Sequence, residues 1–161
     1  MKLVICEKPS VGAAVAAALG VTGKKDGYIE NDKYIISWCI GHLVQLSEAA
    51  AYGEQYRKWS YDSLPILPQE WQYTVAADKG KQFKILKDLM HRADVSEVVN
   101  ACDAGREGEL IFRFVYHQAG CKKPFTRLWI SSMETDAIRS GFEHLKDGRG
   151  YDTLYHSALC R

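Results

Sequence analysis

Two acidic signatures stand where apolar runs end. Glu7 follows Leu3-Val4-Ile5-Cys6, and Asp103 follows the run from Val98 to Cys102, opening Asp103-Ala104-Gly105-Arg106-Glu107-Gly108-Glu109. In an open parallel sheet, functional groups gather beyond the carboxyl ends of the strands. If the two runs are neighbouring strands, Glu7, Asp103 and Glu107 converge although they lie far apart in the chain. Clustered carboxylates repel unless a cation or bound protons neutralise them. An all-oxygen ligand set without His or Cys suits hard Mg²⁺, which keeps several waters and accepts substrate phosphates. Gly105 and Gly108 permit a tight passage from strand to helix, and the fixed charge of Arg106 suits a phosphate oxygen. Each carboxylate alone is equally well read as the N-cap of the next helix. The argument for chemistry is the composite, Glu7-Lys8-Pro9 after one strand and Asp103 to Glu109 after another.

The elements that must position these residues follow from periodicity and breakers. Leu3–Cys6 reads as a strand buried on both faces. Pro9 suits the first turn of a helix that runs through Val11 to Leu19 and closes at Gly20. Tyr34 to Ile40 is a second strand, ended by Gly41. Tyr52 to Trp59 reads as a short helix before a Pro-punctuated loop, and Trp71 to Ala76 alternates like a strand. From Gly80 the pattern is helical, with Phe83, Leu86, Leu89 and Met90 on one face and Lys81, Lys84 and Lys87 on the other. Glu97–Cys102 is a strand, Leu110–Gln118 a helix ended before Gly120, Leu128–Ile130 a short strand, and Asp136–Leu145 an amphipathic helix. Strands alternating with helices predict an α/β domain with a mainly parallel sheet flanked by helices on both faces.

Composition narrows the class. Across 161 residues, 47% are apolar and 25% charged, as in a globular domain and unlike a disordered or collagen-like chain. The net charge of +1 gives no whole-chain argument for nucleic acid, so any such reading must rest on a local constellation. Five cysteines without a Cys-x-x-Cys pair argue against a disulfide scaffold or structural zinc and for a reducing compartment. Val11–Val21 is about half the roughly 20 residues of a membrane span, and no targeting segment is visible. A cytoplasmic chain with no membrane partner is expected.

Other residues carry two readings each. His42, in Gly41-His42-Leu43, either approaches the acidic cluster or is a structural histidine at a strand end. Lys79, Lys81, Lys84 and Lys87 form either a phosphate-facing stripe or, as favoured here, a solvated face. Trp38, Trp59, Trp71 and Trp129 suit base stacking, but core packing is the default for tryptophans in strands. His91, His117, His144 and His156 show no metal-ligand spacing.

Glu7-Lys8-Pro9-Ser10-Val11, Gly41-His42-Leu43 and Asp103-Ala104-Gly105-Arg106-Glu107-Gly108-Glu109 together resemble the TOPRIM domain of type IA DNA topoisomerases, most closely the topoisomerase III branch. Leu128-Trp129-Ile130-Ser131-Ser132 is similar to the segment that follows in that branch. The resemblance runs in order over essentially the whole chain. It implies a Rossmann-like fold and a reaction in which a tyrosine attacks a phosphodiester of single-stranded DNA. The products are a 5′-phosphotyrosine link and a free 3′-hydroxyl, and the break is resealed after strand passage. It further implies Mg²⁺ held by Glu7, Asp103 and Glu107, proton handling at the 3′ oxygen by Glu7, and Lys8 against the scissile phosphate. Asp103 and Arg106 complete the implied catalytic set, with His42 and Arg106 as DNA contacts.

Two departures accompany the resemblance. The family motif Asp-x-Asp-x-Glu has Gly105 at its second acidic position, which removes one metal contact; Glu109, a turn into the helix, is the available substitute. None of the nine tyrosines lies in the motif of the attacking tyrosine. The expectation is therefore a TOPRIM domain over residues 1–150, with residues 151–161 starting a helix that leads to the next domain. The partners are then single-stranded DNA and the remaining domains of a parent topoisomerase at the nucleoid. The competing readings are a free-standing TOPRIM nuclease or primase-like phosphotransferase, and a doubly wound nucleotide-binding module. The last lacks both G-x-G-x-x-G and G-x-x-x-x-G-K-[ST].

Overall fold

A computed structural model describes residues 1–160. Its centre is the apolar strand β1 (Lys2–Cys6), flanked on one side by β4 (Tyr34–Trp38) and on the other by β7 (Glu97–Ala101), both parallel to it. The register pairs Cys6 with Trp38 and with Ala101, so the three strands end level. Beyond β7 lies β8 (Phe125–Arg127), also parallel, and then antiparallel β9 (Lys146–Asp147). Beyond β4 lie antiparallel β3 (Tyr28–Glu30) and β2 (Gly23–Lys25). The sheet order is β2-β3-β4-β1-β7-β8-β9. A separate antiparallel pair joins β5 (Val44–Leu46) to β6 (Tyr73–Val75).

Both faces are covered, as the mainly apolar central strands require. Leu3, Ile5, Ile35 and Val98 pack with Leu86 and Met90 of α2 (Gly80–His91) and with Ile111, Phe112 and Val115 of α3 (Arg106–Gln118). On the other face, Val4, Cys6, Ile36 and Val99 meet Val15 and Ala16 of α1 (Pro9–Leu19) and Ile138 of α4 (Thr135–Glu143). Pro9 opens α1 and Gly20 closes it in the left-handed region, where Val21 N–H reaches Ala16 O at 2.8 Å. The last helix, α5 (Asp152–Leu159), runs from the region expected to lead onward and packs on α3. Arg161 lies outside the described residues.

Several boundaries differ from the sequence expectations. The strand expected at Leu128–Ile130 lies earlier, at Phe125–Arg127. Leu128 N–H still donates to Asn100 O, but the next carbonyl in the ladder, Cys102 O, accepts from the Arg127 guanidinium at 2.7 Å, so the ladder stops there. The helix expected over Tyr52–Trp59 is replaced by two 3₁₀ turns, Ala49–Tyr52 and Glu54–Tyr56, interrupted at Gly53. The third helix starts at Arg106 rather than Leu110, so Arg106 and Glu107 lie in its first turn. Strands β2, β3 and β5 are three residues each, too short to carry a periodic signal. Trp59 and Trp71 are exposed by 82% and 53%, contrary to core packing, because the loop that holds them lies off the sheet. Trp129 is also exposed and stacks on Tyr151, whereas Trp38 packs over Gly12 of α1.

Candidate functional site

The strand connections reverse direction between β1 and β7. From β1 the chain crosses by α1 toward β4, whereas from β7 it crosses by α3, on the opposite face, toward β8. The crevice at such a switch point, beyond the carboxyl ends of the strands, is where open α/β sheets bind ligands. Glu7 and Asp103 flank this crevice, Glu7 directly after β1 and Asp103 two residues beyond the last residue of β7.

Lys8 bridges the two carboxylates. Its Nζ lies 3.5 Å from Glu7 Oε1 and 4.0 Å from Asp103 Oδ2. The Glu7 side chain is 11% exposed, while Lys8 and Asp103 are half-open to solvent. The ammonium thus supplies the positive charge that two facing carboxylates need. A second acid–base contact stands alongside: His42 Nε2 meets Glu107 Oε1. The loop carrying His42 is tied down on both sides, by Gly41 N–H to Glu7 O at 3.4 Å and by Lys79 Nζ to His42 O at 3.0 Å. Gly41 turns with φ 62°, which favours glycine. His42 therefore meets the acidic cluster, one of its two expected destinations. Lys79 serves this loop, and Lys81 and Lys84 pair with Asp26 and Asp88, as on a solvated face. Arg106 is exposed at the start of α3 and lines a cleft of about 540 Å³ with Glu107, Leu110 and Ala158.

The oxygen donors suit a hard divalent cation, and Glu7 with Asp103 gives the one or two carboxylates that Mg²⁺ commonly takes alongside water and phosphate. Among the described residues no three His, Cys, Asp or Glu side chains stand together as a ready cage. Glu109 does not take the place that Gly105 leaves. It is fully buried, accepts from Asn100 Nδ2 at 3.0 Å and Arg113 Nε at 2.9 Å, and pairs with Arg127 at 3.0 Å. Gly105 itself has extended backbone (φ 169°, ψ 176°), and a Cβ there would meet nothing within 4 Å.

Three buried thiols lie at or just beyond the ends of the central strands. Cys6, Cys39 and Cys102 are buried and free. Burial, then Cys39 and Asp103, push the Cys6 thiol up; the hydrogen bond with Cys39, then burial, push Cys102 up. Buried thiols of this kind act as small apolar side chains.

Sequence reasoning missed Arg127. It is fully buried at the end of β8 and donates to Asn100 O, Cys102 O and Leu128 O through Nη1 and to Asp103 O through Nη2, at 2.7–3.1 Å. Nothing local marks an arginine in a short strand as buried. The available signal was the Glu109/Arg113 pair at i, i+4, which places a charge pair on the apolar face of α3.

Comparison with known proteins gives the following. A model of the Toprim domain matches residues 2–133. "DNA topoisomerase 3" of Shouchella clausii (strain KSM-K16) is 48% identical over 160 residues, covering 99% of this chain and 22% of that protein. "DNA topoisomerase 3" of Bacillus subtilis (strain 168) is 45% identical over 159 residues, again covering 99% of this chain and 22% of the relative. The chain thus spans about a fifth of the length of these curated relatives. The solved structure of full-length topoisomerase I from Thermotoga maritima aligns over 90% of this chain and 21% of that one, with a TM-score of 0.58 and 18% identity, a likeness of fold.

Proposed function

The chain belongs to the Toprim domain family, and from that premise we propose that it is the Mg²⁺-binding catalytic domain of a type IA DNA topoisomerase of the topoisomerase 3 kind. The observation that carries the reading is Lys8 held between Glu7 and Asp103 at the switch point of the sheet. The substrate is single-stranded DNA, cut and rejoined by a tyrosine from another domain of the parent protein. The working place is the cytoplasm, at the nucleoid. Among the described residues no helix is long and apolar enough to cross a membrane.

In the proposed reaction the tyrosine oxygen gives up its hydroxyl proton to solvent and bonds to phosphorus as the bond from phosphorus to the 3′ oxygen breaks. Glu7, nearly buried beside Lys8, gives a proton to the departing 3′ oxygen and takes it back when that hydroxyl reseals the strand. The Lys8 ammonium and the exposed Arg106 guanidinium hold non-bridging phosphate oxygens, where charge gathers in the transition state. Glu7, Asp103 and Glu107 are the residues that would hold Mg²⁺. When bound, the ion supplies further charge neutralisation at the phosphate. His42 orients Glu107 and touches the DNA backbone. Residues 1–150 form the domain, and 151–161 lead toward the next.

Glu7→Gln in the full-length parent tests this reading. Proton transfer typically contributes about 10²–10⁴-fold, so both cleavage and rejoining of a single-stranded oligonucleotide slow by a factor in that range. Single-strand binding survives, because Gln keeps the volume. Parental rates in both directions would reduce Glu7 to a structural residue.

A further inference from the structure

We propose that Arg127 is a positioning residue that sets the place of the Asp103 carboxylate, with Glu109 as its anchor. This rests on the reading that Asp103 is a cation ligand.

The last ladder bond between β7 and β8 is Leu128 N–H to Asn100 O at 2.9 Å. The Arg127 fork shares that carbonyl and takes the ones beyond it: Asn100 O at 3.1 Å and Cys102 O at 2.7 Å by Nη1, and Asp103 O at 2.7 Å by Nη2. Arg127 is completely buried, and burial is the main influence lowering its pKa, opposed first by Glu109. A buried guanidinium is poor evidence of stabilisation, because apolar replacements of buried ion pairs are often neutral or better. Its geometry is specific instead: a planar fork reaches several carbonyls at fixed angles, which an ammonium cannot do. Glu109 lies 3.0 Å from Arg127 Nε, although that nitrogen makes no well-aligned hydrogen bond. Glu109 is in turn fixed by Asn100 and Arg113. Asn100 closes the loop by accepting from Cys102 N–H at 3.1 Å. The turn from Cys102 to Asp103 is therefore held from beneath by one buried polar network, and the Asp103 carboxylate emerges from it toward Lys8. Residues that orient metal ligands in this way typically change affinity by about 10–100-fold when altered.

The test is titration of the 161-residue chain with Mn²⁺ alone, followed by electron paramagnetic resonance of the free ion. Four proteins are compared: the parent chain, Asp103→Asn, Arg127→Lys, and Val95→Ala, a core cavity at the opposite end of β7. Support requires that Asp103→Asn lose most binding, that Arg127→Lys bind about tenfold or more weakly, and that Val95→Ala bind as the parent does. Amide exchange at Asp103 and Ala104 should accelerate in Arg127→Lys and not in Val95→Ala. If Asp103→Asn loses binding but Arg127→Lys does not, positioning is overturned and the ligand reading stands. If Asp103→Asn binds normally, the ligand reading fails and positioning falls with it. Equal weakening in Val95→Ala would mean that affinity follows stability, which also overturns the proposal. Should Arg127→Lys not fold, Glu109→Gln is judged by the same criteria.

Discussion

Gly108 lies so close to Asp103 that a Cβ built on it would stand 2.1 Å from the Asp103 carbonyl oxygen and 2.9 Å from its nitrogen. The first turn of α3 is thus pressed against the backbone of the candidate ligand, and the obstacle is backbone rather than a movable side chain. Gly108→Ala must displace the turn or tilt the helix. Overpacking of this kind costs about 1–3 kcal/mol. A denaturant titration should show a lower midpoint with an unchanged slope, and an unchanged midpoint would mean that the turn yields freely.

His117 predicts a pH dependence of stability. Burial, then Arg113 and Lys122, lower its pKa from the ordinary 6.5, with Asp152 opposing. The unfolded chain therefore binds this proton more readily than the folded one, and stability rises with pH across that window. The contribution is fully present above pH 6.5 and is lost as pH falls through the lower folded value. The melting temperature should drop between pH 7.5 and 5, and His117→Asn should flatten that drop. A parallel pH profile in the variant would show that another group governs the region.

The fold was legible because its signals are local. A run apolar on both faces, a Pro at a helix start and a Gly at its end identify β1 and α1 from a few residues, and β7 with α3 follows the same logic. The two acids could be placed together because both follow buried strands, and parallel strands end level. What was hidden is of longer range or too short. The three-residue strands carry no period, and the burial of Arg127 depends on β8 stopping where its own guanidinium takes over the ladder. Glu109 was misread as a spare ligand because its position in α3 shows only that it lies a turn inward. That it faces a second arginine is a fact of tertiary packing.

The chain by itself should form no covalent adduct with DNA. None of its nine tyrosines lies in the motif of the attacking tyrosine. Burial pushes up the hydroxyls of Tyr73, Tyr116 and Tyr155, and Tyr116 donates to Lys123 O at 2.7 Å. Incubation with a single-stranded oligonucleotide and Mg²⁺, followed by denaturing electrophoresis, should show free protein only. A denaturation-resistant band would place a nucleophile within these 161 residues and overturn the division of labour proposed above.

Gly105→Asp offers the most direct probe of the acidic cluster. Two opposing effects decide its outcome. Adding a carboxylate between Asp103 and Glu107 increases repulsion in the apo protein, since Lys8 is shared by Glu7 and Asp103 and His42 already meets Glu107. The same carboxylate adds an anionic oxygen ligand, and affinity for hard cations rises with ligand charge. The backbone raises no objection: φ is 169°, which any residue adopts, and the new Cβ meets nothing within 4 Å. Gly105 is also the N-cap of α3 and has no capping side chain. Asp there accepts from the first turn and exceeds Gly as a cap by a few tenths of a kcal/mol, so folding stability should be kept or slightly raised. With the apo repulsion relieved on binding, Mg²⁺ affinity should rise by about tenfold, or ~1.4 kcal/mol. Titration calorimetry on the parent chain and the variant measures it directly. Unchanged affinity with intact stability would mean that the cation does not reach position 105, and that Glu7 and Asp103 hold it without a third carboxylate from this turn.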